Sequence, residues 1–321
     1  MSDQPLVSVI IPTYNRSYMV GNAIRSALDQ TYANKEIIVV DDGSEDDTEA
    51  VVKAFPDVQY VLQEHGGQAA ARNTGWKNSK GVYVSTLDSD DIWDPLFLEK
   101  SIAVLEGSDL DFVFSNWNQE RIEGGVIDFF SYDEYLKPYI QNGNGSTWIH
   151  LNSAQLRDLY IQCCPSPSSS LVLRSSSIVK GWNKEMNIGD DWCMLLDLIL
   201  SKQARAAFTT QKLWLKHINF DNLYDGRDFR EVNKLLWVSD IRSMLARHKN
   251  SLTRSEYKFI ERRYLKNLVR SAKHSLFNYS NFSEGVSMMK KAMAINPFYA
   301  TRVFSKLFLE AAKRKLRKTP G

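Results

Sequence analysis

Long apolar runs are missing from this sequence. Its most apolar stretch, residues 192–200, is broken by Asp197, and nothing approaches the roughly 20 residues that a membrane-spanning helix requires. The N-terminus carries neither a basic region nor a cleavage site, and the run at 7–11 is too short for a signal core. Cysteine is scarce as well. Cys163 and Cys164 are adjacent and Cys193 stands apart, which excludes a disulfide framework and gives no thiolate metal spacing. Buried thiols in a reducing compartment are expected, and with them a cytoplasmic location.

Net charge is nearly absent, at +2, but it is unevenly spread. Residues 251–321 hold 16 Lys+Arg against 4 Asp+Glu, a balance of +12, which leaves 24 against 34, or −10, on the rest. A basic C-terminal segment suits an anionic surface, lipid or nucleic acid, and equally suits solvated faces of ordinary helices.

What is present is a regular alternation. Val7-Ser8-Val9-Ile10-Ile11 reads as a parallel strand covered on both faces, and it runs into Pro12-Thr13-Tyr14-Asn15. A helical pattern follows through Val20, Ile24 and Leu28. Glu36-Ile37-Ile38-Val39-Val40 is a second strand ending in Asp41-Asp42-Gly43-Ser44, with Ser44 or Asp46 placed to cap the next helix. A third strand spans 58–62, Gly66-Gly67 opens a helix through Arg72 and Asn73, and a fourth strand runs from Gly81 to Leu87. Four strand–helix units at this spacing predict an α/β fold with a mostly parallel sheet and helices on both faces. Ligands of such sheets sit beyond the carboxyl ends of the strands, where Thr13, Asn15, Asp42, Asp88 and Asp90 all fall.

Asp88-Ser89-Asp90-Asp91 closes the fourth strand. Asp88 and Asp90 can turn toward one ion once the chain bends, and hard carboxylate oxygens suit Mg²⁺ or Mn²⁺. A polar turn whose Asp91 or Asp94 caps a helix beginning at Pro95 is the plainer alternative. Further on, Gly189-Asp190-Asp191-Trp192 heads an apolar helical pattern, a position where carboxylates also complement the helix dipole.

Pro12-Thr13-Tyr14-Asn15, Val40-Asp41-Asp42-Gly43-Ser44, Gly66-Gly67 with Ala71-Arg72-Asn73-x-Gly75, Gly81-x-Tyr83 and Leu87-Asp88-x-Asp90-Asp91 occur in one order. Together they resemble the family 2 glycosyltransferases, nucleotide-sugar-dependent enzymes of GT-A fold that invert the anomeric centre. The resemblance spans about residues 6–220. It implies transfer of a sugar from a nucleoside-diphosphate donor, a UDP-sugar by expectation, to a glycan or lipid-linked acceptor in surface polysaccharide or glycolipid assembly. It also implies a Mg²⁺ or Mn²⁺ cofactor held directly by Asp90, with Asp88 reaching the ribose or a metal-bound water. Pro12, Thr13, Tyr14, Asn15 and Ser89 would flank the donor, and Asp42 would accept from the imide of the base. Arg72 would meet the donor sugar or pin the Asp88 loop, and Asp191 would be the catalytic base. His217, beside Lys216, lies where members carry a basic segment that meets the diphosphate or metal; an ordinary strand-end histidine fits equally.

A sugar-phosphate nucleotidyltransferase would need a glycine-rich triphosphate loop after the first strand, and Pro12-Thr13-Tyr14-Asn15-Arg16 supplies none. A scaffold acting through its tail would have no use for the carboxylate set. The aromatics Phe129, Phe130, Tyr132, Tyr135, Tyr139 and Trp148 suit either sugar stacking or core packing. Small residues at 165–170 precede a strand near the expected acceptor. From about 228 the pattern is helical, so the expected division is a catalytic domain over 1–225 and a basic helical extension over 226–321. One hairpin there looks like a single tetratricopeptide-type unit. The run at 313–318 presents a face for anionic lipid; no nucleic-acid partner is expected.

Overall fold

The structure, a computed structural model, describes residues 4–121, 124–218, 227–277 and 281–316, apart from the side chains of 277 and 308–316. The basic run at 313–318, and Asn219 after the Lys216-His217 pair, therefore fall wholly or in part outside the described residues. The chain divides into two compact units, Met1–Lys184 with Gly189–Gly226, and Glu185–Ile188 with Arg227–Gly321.

The first unit is built on one mixed sheet. Its first strands are β1 (Val7–Thr13), β2 (Lys35–Asp41), β3 (Val58–Leu62) and β4 (Tyr83–Thr86), interleaved with helices α1 (Val20–Leu28), α2 (Thr48–Lys53) and α3 (Gln68–Asn78). Then come β5 (Asp91–Trp93), α4 (Phe97–Glu106), β6 (Phe112–Glu120), β7 (Val126–Asp128), α5 (Lys137–Asn142), β8 (Ile149–Leu151), α6 (Ser153–Gln162), β9 (Leu171–Arg174), α7 (Asp190–Ser201) and β10 (Ala206–Lys216). The sheet order is β3-β2-β1-β4-β9-β6-β10-β5, with β7 on β6 and β8 on β10.

All seven residues of β1 are buried, as an uninterrupted apolar run between two parallel neighbours demands. β1 pairs parallel with both β2 and β4, in the register Ile10↔Ile38 and Ile10↔Thr86. The parallel pattern ends at β9, which lies antiparallel between β4 and β6. That insertion brings the small-residue segment before β9 to the end of β4. Gly75 allows α3 to close on β1, since a Cβ there would stand 2.3 Å from Ile10 Cγ2.

Pro95 does not open a helix. The chain leaves the aspartates through β5, which pairs with β10 at Trp93↔Trp214, and α4 begins at Phe97 after Asp94 Oδ1 accepts from the Leu96 N–H. A tertiary strand pairing has taken the residues that local preference gave to a helix start. Phe130, buried, packs edge-on against Phe114 and Phe208 in the core, and the half-buried Phe129 stacks 4.1 Å from Trp117.

The second unit is helical. α8 (Phe229–Val232) runs through a π-helical stretch, Asn233–Asp240, into α9 (Ile241–His248), followed by α10 (Arg254–Phe277), α11 (Phe282–Ile295) and α12 (Pro297–Leu316). Gly285 lets α11 approach α10, where a Cβ would meet Leu276 Cγ at 2.7 Å. The stretch Glu185–Ile188 joins this unit because Asp240 accepts from the backbone N–H groups of Asn187 and Ile188. No described helix is long and apolar enough to cross a membrane.

Candidate active site

The end of β4 releases the chain into three aspartates whose carboxylates converge. One oxygen from each of Asp88, Asp90 and Asp91 lies within 4.8 Å of the other two. Asp90 also meets Arg16 Nη1 at 3.3 Å. Asp91, 2% exposed, accepts from Ser169 Oγ at 2.6 Å, while its Oδ1 has no hydrogen-bond partner. Burial above all, then the charge of Asp90, holds its carboxyl well above the usual range, and Lys216 opposes that rise. A buried carboxylate oxygen without a partner is costly unless a cation or proton meets it. Three hard oxygens at this spacing fit a small divalent cation. Asp91, which the sequence placed in the aspartate motif and offered with Asp94 as a helix cap, lies in β5 and completes that set, while Asp94 accepts from the Leu96 N–H.

Arg72 is the centre of the second cluster. It rises from α3 and is fully enclosed, 1% exposed. Its Nη2 donates to Asp88 Oδ1 at 2.7 Å, its Nη1 donates to Asp190 Oδ2 at 2.5 Å, and Asp191 Oδ1 lies 3.4 Å from the same Nη1. One guanidinium thus ties the end of β4 to the head of α7. Of the two readings of Arg72, the geometry displays the bridge: its enclosed guanidinium holds Asp88 and Asp190 at once.

The acidic pair is asymmetric. Asp190 is 1% exposed and also accepts from Gln68 Nε2 at 2.8 Å. Burial raises its carboxyl to about 7 against the pull of Arg72, with Asp191 and Asp88 adding to the rise. Asp191 keeps part of its carboxylate accessible, its side chain being 15% exposed. Ser168 donates to Asp191 Oδ2 through both its N–H and its hydroxyl, at 3.1 and 2.7 Å, and Trp182 Nε1 donates to Oδ1 at 2.9 Å. Consecutive helical residues normally face apart. Here both turn toward Arg72, since side chains tilt toward the helix N-terminus and at the first turn no preceding turn lies in the way.

Beside these clusters lie the turns after β1 and β2. Asn15 holds a positive φ of 51°; its N–H donates to Ser44 Oγ and its Oδ1 accepts from Glu45 N–H. Tyr14, 40% exposed, stacks 4.2 Å from the ring of His65. Thr13 is buried and its hydroxyl has no partner. Pro12 is enclosed within β1, and Ser89 is buried in the aspartate turn, so neither offers a broad surface to a ligand. Asp42 accepts from Gly66 N, Gly67 N and Gln63 Nε2, at 2.9, 2.7 and 2.6 Å, with His65 Nδ1 at 2.9 Å. Its oxygens are taken up by the glycine loop, and a base would have to displace Gln63 or His65 to reach them. Asp41 serves the fold, accepting from Ser44 N–H and the Tyr60 hydroxyl. His217 does not join the aspartate cluster; its Nδ1 lies 2.8 Å from Glu120 Oε2 on β6.

Arg16, Gln68, His65 and Trp182 were not singled out as site residues by the sequence. Only Ser168 and Ser169 carried a signal, as members of the small-residue stretch before β9.

The chain resembles known proteins in part of its sequence and in its fold. Residues 8–153 match the model described as Glycosyl transferase family 2. The chain is 48% identical over 106 residues to an uncharacterized glycosyltransferase of Rickettsia prowazekii, a match covering 33% of each chain. It is 37% identical over 143 residues to the Escherichia coli UDP-Glc:alpha-D-GlcNAc-diphosphoundecaprenol beta-1,3-glucosyltransferase WfgD, covering 42% of this chain and 56% of that one. The matches thus span about a third to just over half of the length of these curated relatives. Among solved structures, S. aureus TarS 1-349 in complex with UDP-GlcNAc superposes with a TM-score of 0.64 at 19% identity, covering 89% of this chain and 80% of that one. The chain therefore has a GT-A-like fold followed by C-terminal helices, and its residues 8–153 carry the glycosyl transferase family 2 pattern.

Proposed function

We propose that this chain transfers a sugar from a nucleoside-diphosphate donor, a UDP-sugar, to an acceptor hydroxyl with inversion, in the assembly of a bacterial-type polysaccharide or glycolipid. The observation that carries the proposal is the buried Arg72, which sets a cation-binding type of carboxylate cluster and a partly exposed, three-fold hydrogen-bonded Asp191 on one guanidinium. The names of WfgD and TarS supply the UDP-sugar part of the reading, as does the lipid-linked acceptor in the name of the former.

Asp191 is the base. Its three donors fix the carboxylate in place, and the accessible remainder receives the proton of the acceptor hydroxyl as that oxygen attacks. Asp190 is enclosed and cannot reach an acceptor; it positions Arg72. Tyr14 with His65 offers an aromatic surface to the base, beside Thr13, Asn15 and, after exchange of a loop partner, Asp42. Mg²⁺ or Mn²⁺ would be held by Asp90 with Asp91, Asp88 acting at one remove, and when bound it would offset the charge that develops on the departing diphosphate. The C-terminal helical extension, with its basic run at 313–318, would hold the enzyme against anionic lipid.

Two mutants test this together. Asp191→Asn should lower turnover by about 10²-fold or more with UDP affinity in Mn²⁺ unchanged. Asp90→Asn should lose most of the metal-dependent UDP affinity by calorimetry. Full turnover in Asp191→Asn would remove the base, and equal UDP affinity in Asp90→Asn would remove the metal site.

A further inference from the structure

A second concavity is built by the segment between β7 and β9. It has a volume of about 670 Å³, inside the range of roughly 300–1,000 Å³ typical of small-ligand sites. None of Asp88, Asp90, Asp190 or Asp191 lines it. Its walls come from α5, β8 and α6, and α6 is held in register by a capping box between Asn152 and Gln155. Gln155, Asp158, Leu159 and Gln162 follow the i, i+3, i+4, i+7 pattern, so one face of α6 lines the cavity, and three of the four are polar. The lining also includes the aromatics Tyr135, Tyr139 and Trp148. Where Phe130 is buried in the core and Phe129 stacks on Trp117, Tyr135 remains 43% exposed.

The chemistry of this lining is selective. No lysine or arginine lines it; Asp158 and Glu134 do, the latter ion-paired with Lys137 at 3.6 Å, so a phosphate, nucleotide or uronic acid finds carboxylates and no cation in the lining. Aromatic faces accept the apolar face of a pyranose ring, and carboxylate and amide oxygens accept from its hydroxyls. The position is also informative. Gln162 lines the cavity, and Ser168, six residues on, donates to Asp191, which limits their separation to about 20 Å of extended chain. The intervening Cys163-Cys164 pair borders both places. The Tyr139 phenol is raised by burial and then by Asp158 and Cys163, and burial, with Asp191 adding, pushes the Cys164 thiol up to about 12.

We infer that this cavity binds a neutral, hydroxyl-rich glycan, namely the part of the acceptor chain beyond the reacting hydroxyl. The acceptor assignment rests on the transferase reading above. It is tested by presenting the full chain to an array of neutral oligosaccharides of hexose and N-acetylhexosamine units, with phosphorylated and uronic-acid oligosaccharides printed alongside. Neutral glycans should be retained, and Tyr135→Ala and Asp158→Ala, both at exposed positions, should each reduce retention at least tenfold. UDP affinity in Mn²⁺ should stay within twofold in both variants, and unchanged thermal unfolding would show that they are folded. Failure to retain any neutral glycan, preference for the charged ones, or equal retention by the variants would overturn the site. If UDP fails to bind while the variants still lose glycan, the site stands and its assignment to an acceptor falls. If UDP binds and no neutral glycan does, the cavity inference alone fails.

Discussion

Asp190→Asn isolates the electrostatic load carried by the buried cluster. One guanidinium faces Asp88, Asp190 and Asp191, so positive charge is short there. Burial first, with Asp191 and Asp88 adding and Arg72 opposing, raises the Asp190 carboxyl from 3.8 to about 7. Between those values the folded state holds a proton that the unfolded state has released. Stability from this group is therefore fully present below about pH 4 and is lost as pH climbs through about 7. At about 1.36 kcal/mol per pH unit, the loss totals about 4 kcal/mol. Asparagine has nearly the same shape, still offers a carbonyl oxygen to Arg72 and cannot ionise, so the variant should lack that slope. Urea unfolding of both proteins from pH 4.5 to pH 7.5 should show the difference moving in favour of the variant by about 3–4 kcal/mol. Parallel curves, or a difference moving in favour of wild type, would show that Asp190 is ionised throughout and stabilised by Arg72, and would refute the reasoning.

Arg72→Met should be the severest single change at the site. It leaves Asp190 buried without a cation and should cost about 3–5 kcal/mol at pH 8 by urea unfolding, with partial recovery in the Arg72→Met/Asp190→Asn double mutant. Gly75→Ala forces a methyl against Ile10 Cγ2 and should lower stability by about 1–3 kcal/mol, read as an earlier urea midpoint; an unchanged midpoint would refute the clash. Truncation after Glu310 should weaken co-sedimentation with anionic vesicles, by about 1 kcal/mol per basic residue that engages the surface, and added salt should do the same; equal binding to neutral vesicles would exclude a lipid role for the tail.

The sequence by itself determined which residues reach the rim. A strand alternates its side chains and ends where its apolar run ends, so Asp42 and Asp88 were fixed beyond β2 and β4, and Thr13 at the last position of β1, by local pattern alone. Glycine-opened α3 and the acidic head of α7 were legible for the same reason. The tertiary structure decided what each residue does there. Arg72 and Asp190 meet across 118 positions of sequence, and only the antiparallel β9 between β4 and β6 brings Ser168 and Ser169 to Asp191 and Asp91. Asp91 sits in a strand rather than at a helix start because β5 found a partner in β10. Asp42 turned inward because Gly67, at a φ of 84°, directs its N–H toward that carboxylate. Local pattern sets the direction of a side chain; the order of strands in the sheet sets its neighbours, and partners in a site are neighbours that no local pattern names.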